Sequence, residues 1–385
     1  MSLLVSDFVN DAQQELNYIS GTLVSESDII LFLNRANSHF YTNFFMPTCA
    51  KVTDLLAYSG VPEYPLPSDF LWTMEPRKPW SLFSPAWSGA TERSIYSHKN
   101  GNKIAVKMDR ATPILVLNET SGSKSQIDAC TSLTEGGTWA FTGDAASEIV
   151  DESIYSEGSS SLRFTITRSG GTSTLTKTYD TVIDLTDFVD SGKLFLDIKC
   201  PSTNTLALTS IRLRLGNSST VYYEITATTN QNGLTMLPGW NQVGFDFQSK
   251  TETGSVDDTA IDYIQLLITE PASGCNGNYN LDNIFIALPV YYQLPYYSSH
   301  NVLNNSGTYQ AAVTATTDTL ACPPEFEEGF RYKALSLIAI QRLRDATLAE
   351  HFLNELKGTE KALKSRFPKQ TMKVSFSTYQ TANNF

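Results

Sequence analysis

Apolar residues near the start of the chain recur at helical spacing. Val5, Phe8, Val9, Ala12, Leu16 and Ile19 lie on one face and Gly21 ends the run, which predicts a first amphipathic helix. Ile29, Phe32, Leu33, Ala36, Phe40 and Phe44 mark one face of a second. Ser25 and Asp28 open it in the spacing of a capping box, and it closes before Pro47. The period then changes. "KVTDLLAYSG", the Pro-rich "VPEYPLPSDFLWTMEPRKPW" and "NKIAVKM" read as short strands joined by turns.

Over residues 125–288 apolar and polar positions alternate in runs such as "SSLRFTIT", "TLTKTY", "KLFLDIK", "SIRLRLG", "NQVGFDF" and "LDNIFIAL". Gly, Ser, Asn and Pro turns separate them, the signature of a β-sandwich or jelly roll. A linker-like stretch, "YYSSHNVLNNSGTYQAAVTATTDT", follows. Residues 322–367 return to helical period: Pro323 and Pro324 stand at the start, Glu325, Glu327 and Glu328 in the first turn, Lys361, Lys364 and Arg366 in the last, and Pro368 as the stop. If this long helix divides, Gly358 is the expected break.

The sandwich can bury its own core, whereas the helices at the two ends of the chain each have an apolar face with nothing local to cover it. They are expected to cover each other. The fold class is therefore α+β, a split helical domain with an inserted antiparallel β-sandwich. Residues 1–118 are its N-terminal part, 119–288 the insertion, 289–367 its C-terminal part, and 368–385 a C-terminal arm.

Composition narrows the function classes. With 385 residues, 41% hydrophobic and 18% charged, the chain has room for two or three ordinary cores. Its apolar runs fall short of the roughly 20 residues that span a bilayer, so no membrane partner is expected. The N-terminus lacks a basic region and turns polar within one helical turn, so the protein is expected to be made and used without Sec export, unless it leaves the cell by lysis. Five cysteines without a C-x-x-C pair predict reduced thiols, not a disulfide framework or a zinc site. The net charge of −12 is concentrated in residues 113–322, which hold 9 Lys/Arg against 22 Asp/Glu. Without a basic block the chain can sit around DNA but is not built to grip it.

Catalytic signals are missing. The four histidines are scattered, and no H-E-x-x-H, G-x-S-x-G, Walker A or G-x-G-x-x-G occurs. Asp184, Asp187, Asp190, Asp257, Asp258 and Asp262 stand at turns where solvated acids are expected. Neither an enzyme nor a cofactor is expected. Three binding readings have residues behind them. Trp139, Tyr155, Tyr222, Tyr223 and Trp240, with Tyr263, are candidates for an aromatic platform under a sugar. Both tryptophans stand beside turns leading into strands, where a large ring usually closes a core, and core is the favoured reading for them. Asn276, Asn278, Asn280 and Asp282 place side-chain oxygens at every second position, a candidate structural calcium loop. That segment lacks the acidic density and terminal Glu of an EF-hand, which favours a turn into the last strand. Beyond Pro368, Met372, Val374 and Phe376 alternate with polar residues, and with Tyr379 and Phe385 they are candidates for a docking arm that adds a strand to a partner. A frayed terminus is the alternative.

The order "LVSDFVNDAQQELN", a second helix ending in aromatics, "YPLPSDFLWTMEP" and a late "CPPEFEEGFRYKALSLIAI" resembles the head-to-tail adaptor (connector, neck) proteins of tailed bacteriophages. The resemblance covers residues 1–118 and 289–367. Residues 119–288 resemble carbohydrate-binding-module or galactose-binding-like jelly rolls, through "GGTWAFTG", "YSEGSSSLRFTI", "LPGWNQVGFDF" and "LDNIFIAL". The adaptor resemblance implies a structural virion protein of the neck, assembled in the host cytoplasm. It implies a homo-oligomeric ring, commonly of twelve subunits, below the portal protein. Such a ring continues the DNA channel, lets viral DNA pass without sequence-specific binding, and docks a tail or nozzle protein; the arm would meet the portal. The alternatives are a carbohydrate-binding protein for attachment to host-surface glycan and a capsid or neck decoration protein.

Overall fold

The computed structural model describes residues 3–20, 24–44, 46–73, 93–94, 104–107, 114–117, 122–168 and 171–367. The candidate arm residues Met372, Val374, Phe376, Tyr379 and Phe385 lie outside them. The chain divides into two compact units: residues 1–55, 66–99 and 293–385, and residues 56–65 and 100–292. The second unit is larger than the expected insertion. Residues 56–65 and 100–118 group with the sandwich: Glu63–Pro65, Ile104–Lys107 and Ile114–Leu117 form one three-stranded sheet, and the Tyr58 ring packs against that of Phe195, with centroids 5.2 Å apart.

The first unit is built on four helices, α1 (Val5–Ser20), α2 (Glu26–Asn43), α3 (Glu327–Ile338) and α4 (Ala346–Arg366). Phe8, Ala12 and Leu16 of α1, Phe32, Leu33 and Phe40 of α2, Phe330, Leu335 and Ile338 of α3, and Phe352 and Leu356 of α4 share one core. The helices from the two ends of the chain thus cover each other, because neither pair can bury its stripe alone. The α2–α3 approach is tight. The ring centroids of Phe40 and Phe330 are 4.8 Å apart, and a Cβ on Gly329 would lie 2.7 Å from the end of the Phe40 ring. Ser25 caps α2 as its spacing predicts, its Oγ accepting from the Asp28 N–H at 3.2 Å.

Two expectations for this unit are corrected. The late helix does not break at Gly358, which lies within α4. It breaks after a π-helical turn at Ala339–Leu343, where Arg344 takes a left-handed conformation (φ 55°) and Asp345 caps α4 by accepting from the Leu348 N–H at 2.9 Å. The linker-like stretch is also part of the fold. Val302–Leu303, Tyr309–Gln310 and Thr319–Leu320 pair with Leu3–Leu4 in a small sheet. The fully buried amides of Asn301 and Asn37 exchange two hydrogen bonds, at 2.7 and 2.9 Å. Polarity misleads here because these polar groups find partners inside the unit instead of in water.

Besides its three-stranded sheet, the second unit holds, among the described residues, a two-sheet antiparallel sandwich of twelve strands. They are β1 (Lys124–Asp128), β2 (Trp139–Gly143), β3 (Ala145–Asp151), β4 (Ser161–Ile166), β5 (Thr172–Ile183), β6 (Lys193–Cys200), β7 (Ser210–Ser218), β8 (Val221–Ala227), β9 (Gly239–Asp246), β10 (Thr251–Thr253), β11 (Ile261–Thr269) and β12 (Gly277–Ala287). One sheet runs β3, β4, β12, β6, β9, with β1 also paired to β12; the other runs β10, β8, β7, β11, β5, β2. Leu194, Leu196, Val243, Phe245, Leu281 and Ile286 of the first sheet meet Leu213, Leu215, Ile264 and Leu266 of the second in a single core. The alternation of each strand leaves its other face free for a site.

Candidate functional site

On the outer face of the first sheet the side chains between the core positions of three strands stand together. In register, Asp197 of β6 opposes Gln242 of β9 on one side and Asp282 of β12 on the other. Core residues Leu196 and Ile198 flank Asp197, and core residue Val243 follows Gln242, so Trp240 and Gln242 point the same way as Asp197. In β12 the alternation is broken by a bulge. Asn283 takes φ 49°, a region that asparagine tolerates, and this lets Asp282 face outward while Ile284 still reaches the core.

Asp197, Trp240, Gln242 and Asn283, but not the fully buried Asp282, line a recess of about 350 Å³. Its walls come from other segments: Ser156 and Glu157 from the loop after β3, Asn230, Gln231 and Asn232 from the β8–β9 connection, and Pro62 and Glu63 from the preceding chain. Gly60 lets that last segment lie close, since a Cβ there would sit 3.0 Å from the Phe285 ring. Among the described residues that line the recess none is Lys, Arg or His, and three are acids, Glu63, Glu157 and Asp197.

Asp197, at the recess, and Asp282, beside it in register, form a buried carboxyl pair. Asp197 is 8% exposed and Asp282 is fully buried. Ser156 Oγ lies 2.8 Å from Asp197 Oδ2 and 3.0 Å from Asp282 Oδ2. Asp282 Oδ2 also accepts from the Ser156 and Glu157 N–H groups at 2.7 and 3.1 Å. Burial pushes the Asp197 carboxyl up to about 6, against the hydrogen bonds from Ser156 and Asn283. Burial raises Asp282 as well. What the recess offers a ligand is one aromatic surface, several amide groups, and an excess of acceptors.

Of the six aromatic candidates, only Trp240 lines the recess. The core reading holds for Trp139, 3% exposed, but not for Trp240, whose indole is 37% exposed. The phase of "GWNQVGFD" explains the difference: with Val243 and Phe245 directed inward, Trp240 faces out. Tyr155 is exposed but does not line the recess. Tyr222 lies on the second sheet under the Arg214 guanidinium, 4.6 Å from the ring centroid. Tyr223 and Tyr263 are buried, and the Tyr223 hydroxyl donates to Asp258 Oδ1 at 2.8 Å.

The calcium-loop candidates do not converge. Asn278, Asn280 and Asp282 follow one another along β12, where alternate residues stand about 7 Å apart. Asn276 Oδ1 instead accepts from the Arg168 N–H, and Asn278 Oδ1 from Thr165 Oγ1. Asn280 Nδ2 donates to Ser161 Oγ at 2.9 Å. Among the described residues no group of three or more His, Cys, Asp and Glu side chains is placed to hold a metal ion. All five cysteines are free and buried.

No family model and no curated protein matches the chain. Solved structures similar to it include a family 30 carbohydrate-binding module, 16% identical with a TM-score of 0.33, where the match covers 43% of this chain and 99% of that one. The family 30 module of a cellulosomal cellulase of Clostridium thermocellum is also 16% identical, with a TM-score of 0.32 and coverage of 43% and 96%. CtCBM11 is 14% identical, with a TM-score of 0.32 and coverage of 44% and 98%.

Proposed function

We propose that the sandwich is a glycan-binding module whose ligand lies in the recess against Trp240. The exposed indole in an otherwise polar recess carries this reading. The C–H face of a pyranose ring packs on an aromatic plane while its hydroxyls take up amide and carboxylate hydrogen bonds, and the recess supplies both. Its volume is within the range of about 300–1,000 Å³ usual for small-ligand sites. The role is binding, not chemistry.

Titration of the full chain against a panel of soluble polysaccharides tests this. Trp240→Ala is expected to weaken the best ligand by about 10-fold or more, a loss of about 1.4 kcal/mol, whereas Tyr222→Ala on the opposite sheet leaves the affinity unchanged. Affinity that survives Trp240→Ala would remove the recess from the reading.

The helical unit supports a second, compatible reading. Helices from both ends of the chain close one core. This is the arrangement that the adaptor resemblance implies. We infer a structural virion protein: a ring of copies below a portal protein that continues the DNA channel, docks a tail or nozzle protein, and carries the glycan-binding sandwich. Electron microscopy of particles co-purified with the tagged chain from its producing cells is expected to show rings stacked on a portal or virion neck. Single subunits free of portal and capsid proteins would overturn it.

A further inference from the structure

We propose that the recess takes the end of a glycan chain and not its interior, with the terminal sugar between Asn283, Asp197 and Gln242 and the next one stacked on Trp240. This rests on the glycan-binding reading above and narrows its ligand. Sheet register fixes the directions around the recess. Gln242 of β9 opposes Asp197 of β6; two residues further along β9, Gly244 opposes Phe195, and two residues back, Trp240 opposes Lys199. Toward Phe195 the outer face is covered. Phe195 stands between core residues Leu194 and Leu196, in the outward phase of Asp197, yet it is fully buried. Its ring centroid lies 5.2 Å from those of Tyr58 and Phe285, and Gly60 brings the backbone close over the Phe285 ring. A polymer lying along the strands would run into this aromatic plug.

Across the strands both ways out are shut as well. Toward β12, the Ser156 and Glu157 N–H groups donate to Asp282 Oδ2 at 2.7 and 3.1 Å, and Ser156 Oγ lies 2.8 Å from Asp197 Oδ2, so this loop sits on the sheet beside the recess. Toward the sheet edge, the Gln231 N–H donates to the Gln242 carbonyl at 2.7 Å. Asn230 Oδ1 holds that second wall in shape by accepting from the Asn232 and Leu234 N–H groups, each at 3.0 Å. On the fourth side, toward the start of β9, the described lining ends at the exposed indole of Trp240. A linear polymer threads a site only where it has both an entrance and an exit, and here the walls leave it one. The volume, near the lower end of the range usual for small-ligand sites, suits an end and not a stretch of polymer. A terminal unit also carries a free hydroxyl where an interior unit is linked onward, and the Asp197 carboxylate and the Gln242 amide stand where it would enter.

Calorimetric titration of the full chain with linear glucose, mannose and galactose oligosaccharides, and with size fractions of the matching soluble polysaccharides, tests the assignment. Affinity is expected to level off once the recess and Trp240 are both filled. The number of sites filled per linear polysaccharide chain is expected to stay constant as that chain lengthens, a measurement on the unaltered protein that needs no folded variant. Gln242→Ala is expected to weaken every length by the same factor, about 5-fold, because the end unit and its hydrogen bond are common to all. Sites filled per chain that increase with its length would overturn the end assignment and leave the glycan reading standing. Affinity that survives both Trp240→Ala and Gln242→Ala would move the ligand out of the recess, and would overturn it too. If no oligosaccharide or polysaccharide binds, both the assignment and the reading fall.

Discussion

Methionine in place of Lys177 destabilises the sandwich by about 3–5 kcal/mol. Lys177 is 2% exposed and lies in the buried phase of β5, between Leu175 and Tyr179. Its Nζ lies 2.7 Å from Asp128 Oδ2, donates to the Glu135 carbonyl at 2.8 Å, and sits 5.0 Å from the centroid of the Tyr179 ring. Trp139 Nε1 donates to the same Asp128 oxygen at 3.2 Å. Methionine keeps most of the side-chain volume but leaves the Asp128 carboxylate buried without a counter-charge, and that desolvation dominates the loss. Denaturant unfolding of the variant measures it. Adding Asp128→Asn is expected to restore most of the stability, because a neutral amide needs no cation. A single-variant loss under about 1 kcal/mol would mean that water reaches the pair and that it behaves as a surface ion pair.

Alanine at Asp69 is expected to cost the helical unit about 3 kcal/mol. Asp69 ends the "YPLPSD" turn and gathers partners from both ends of the chain: Lys51 Nζ at 2.8 Å, Ser298 Oγ at 2.6 Å and the Tyr296 hydroxyl at 3.0 Å. Burial pushes its carboxyl up, but the hydrogen bonds from Lys51, Ser298 and Tyr296 and the Lys51 charge outweigh burial and hold it below the ordinary 3.8. A carboxyl depressed by folding stabilises fully above its unfolded value, and that stability fades as pH falls through the folded value. Acidification below about pH 4 is therefore expected to weaken the unit, with part of that slope missing in Asp69→Ala. Amide hydrogen exchange in α1 to α4 reads this unit separately, which matters because a chain of two units has no single unfolding free energy. An unchanged pH slope in the variant would assign the acid sensitivity to other carboxyls.

Much of the fold is determined by features that run along the chain. The apolar stripes of α1, α2 and the late helices, the Ser25 cap, and the period-2 runs of the sandwich are local patterns, and local geometry answers to them directly. The cap at Asp345 is equally local, in "RDATLAE", whereas Gly358 lies within α4. Even the outward direction of Trp240 is written in the phase of "WNQVGF", though its place beside a turn argued for the core. Only the tertiary structure decided the grouping of residues 56–65 with the sandwich, the buried role of residues 301–320, and the recess itself. Ser156 meets Asp197 across 41 residues of chain and Asp282 across 126. A periodicity can say that Asp197 faces outward, but the direction of Asp282 depends on the bulge at Asn283, and only sheet register sets the two side by side. Their shared partner Ser156 follows from that juxtaposition, because removing both carboxyls from water makes each depend on whatever neighbour the fold supplies.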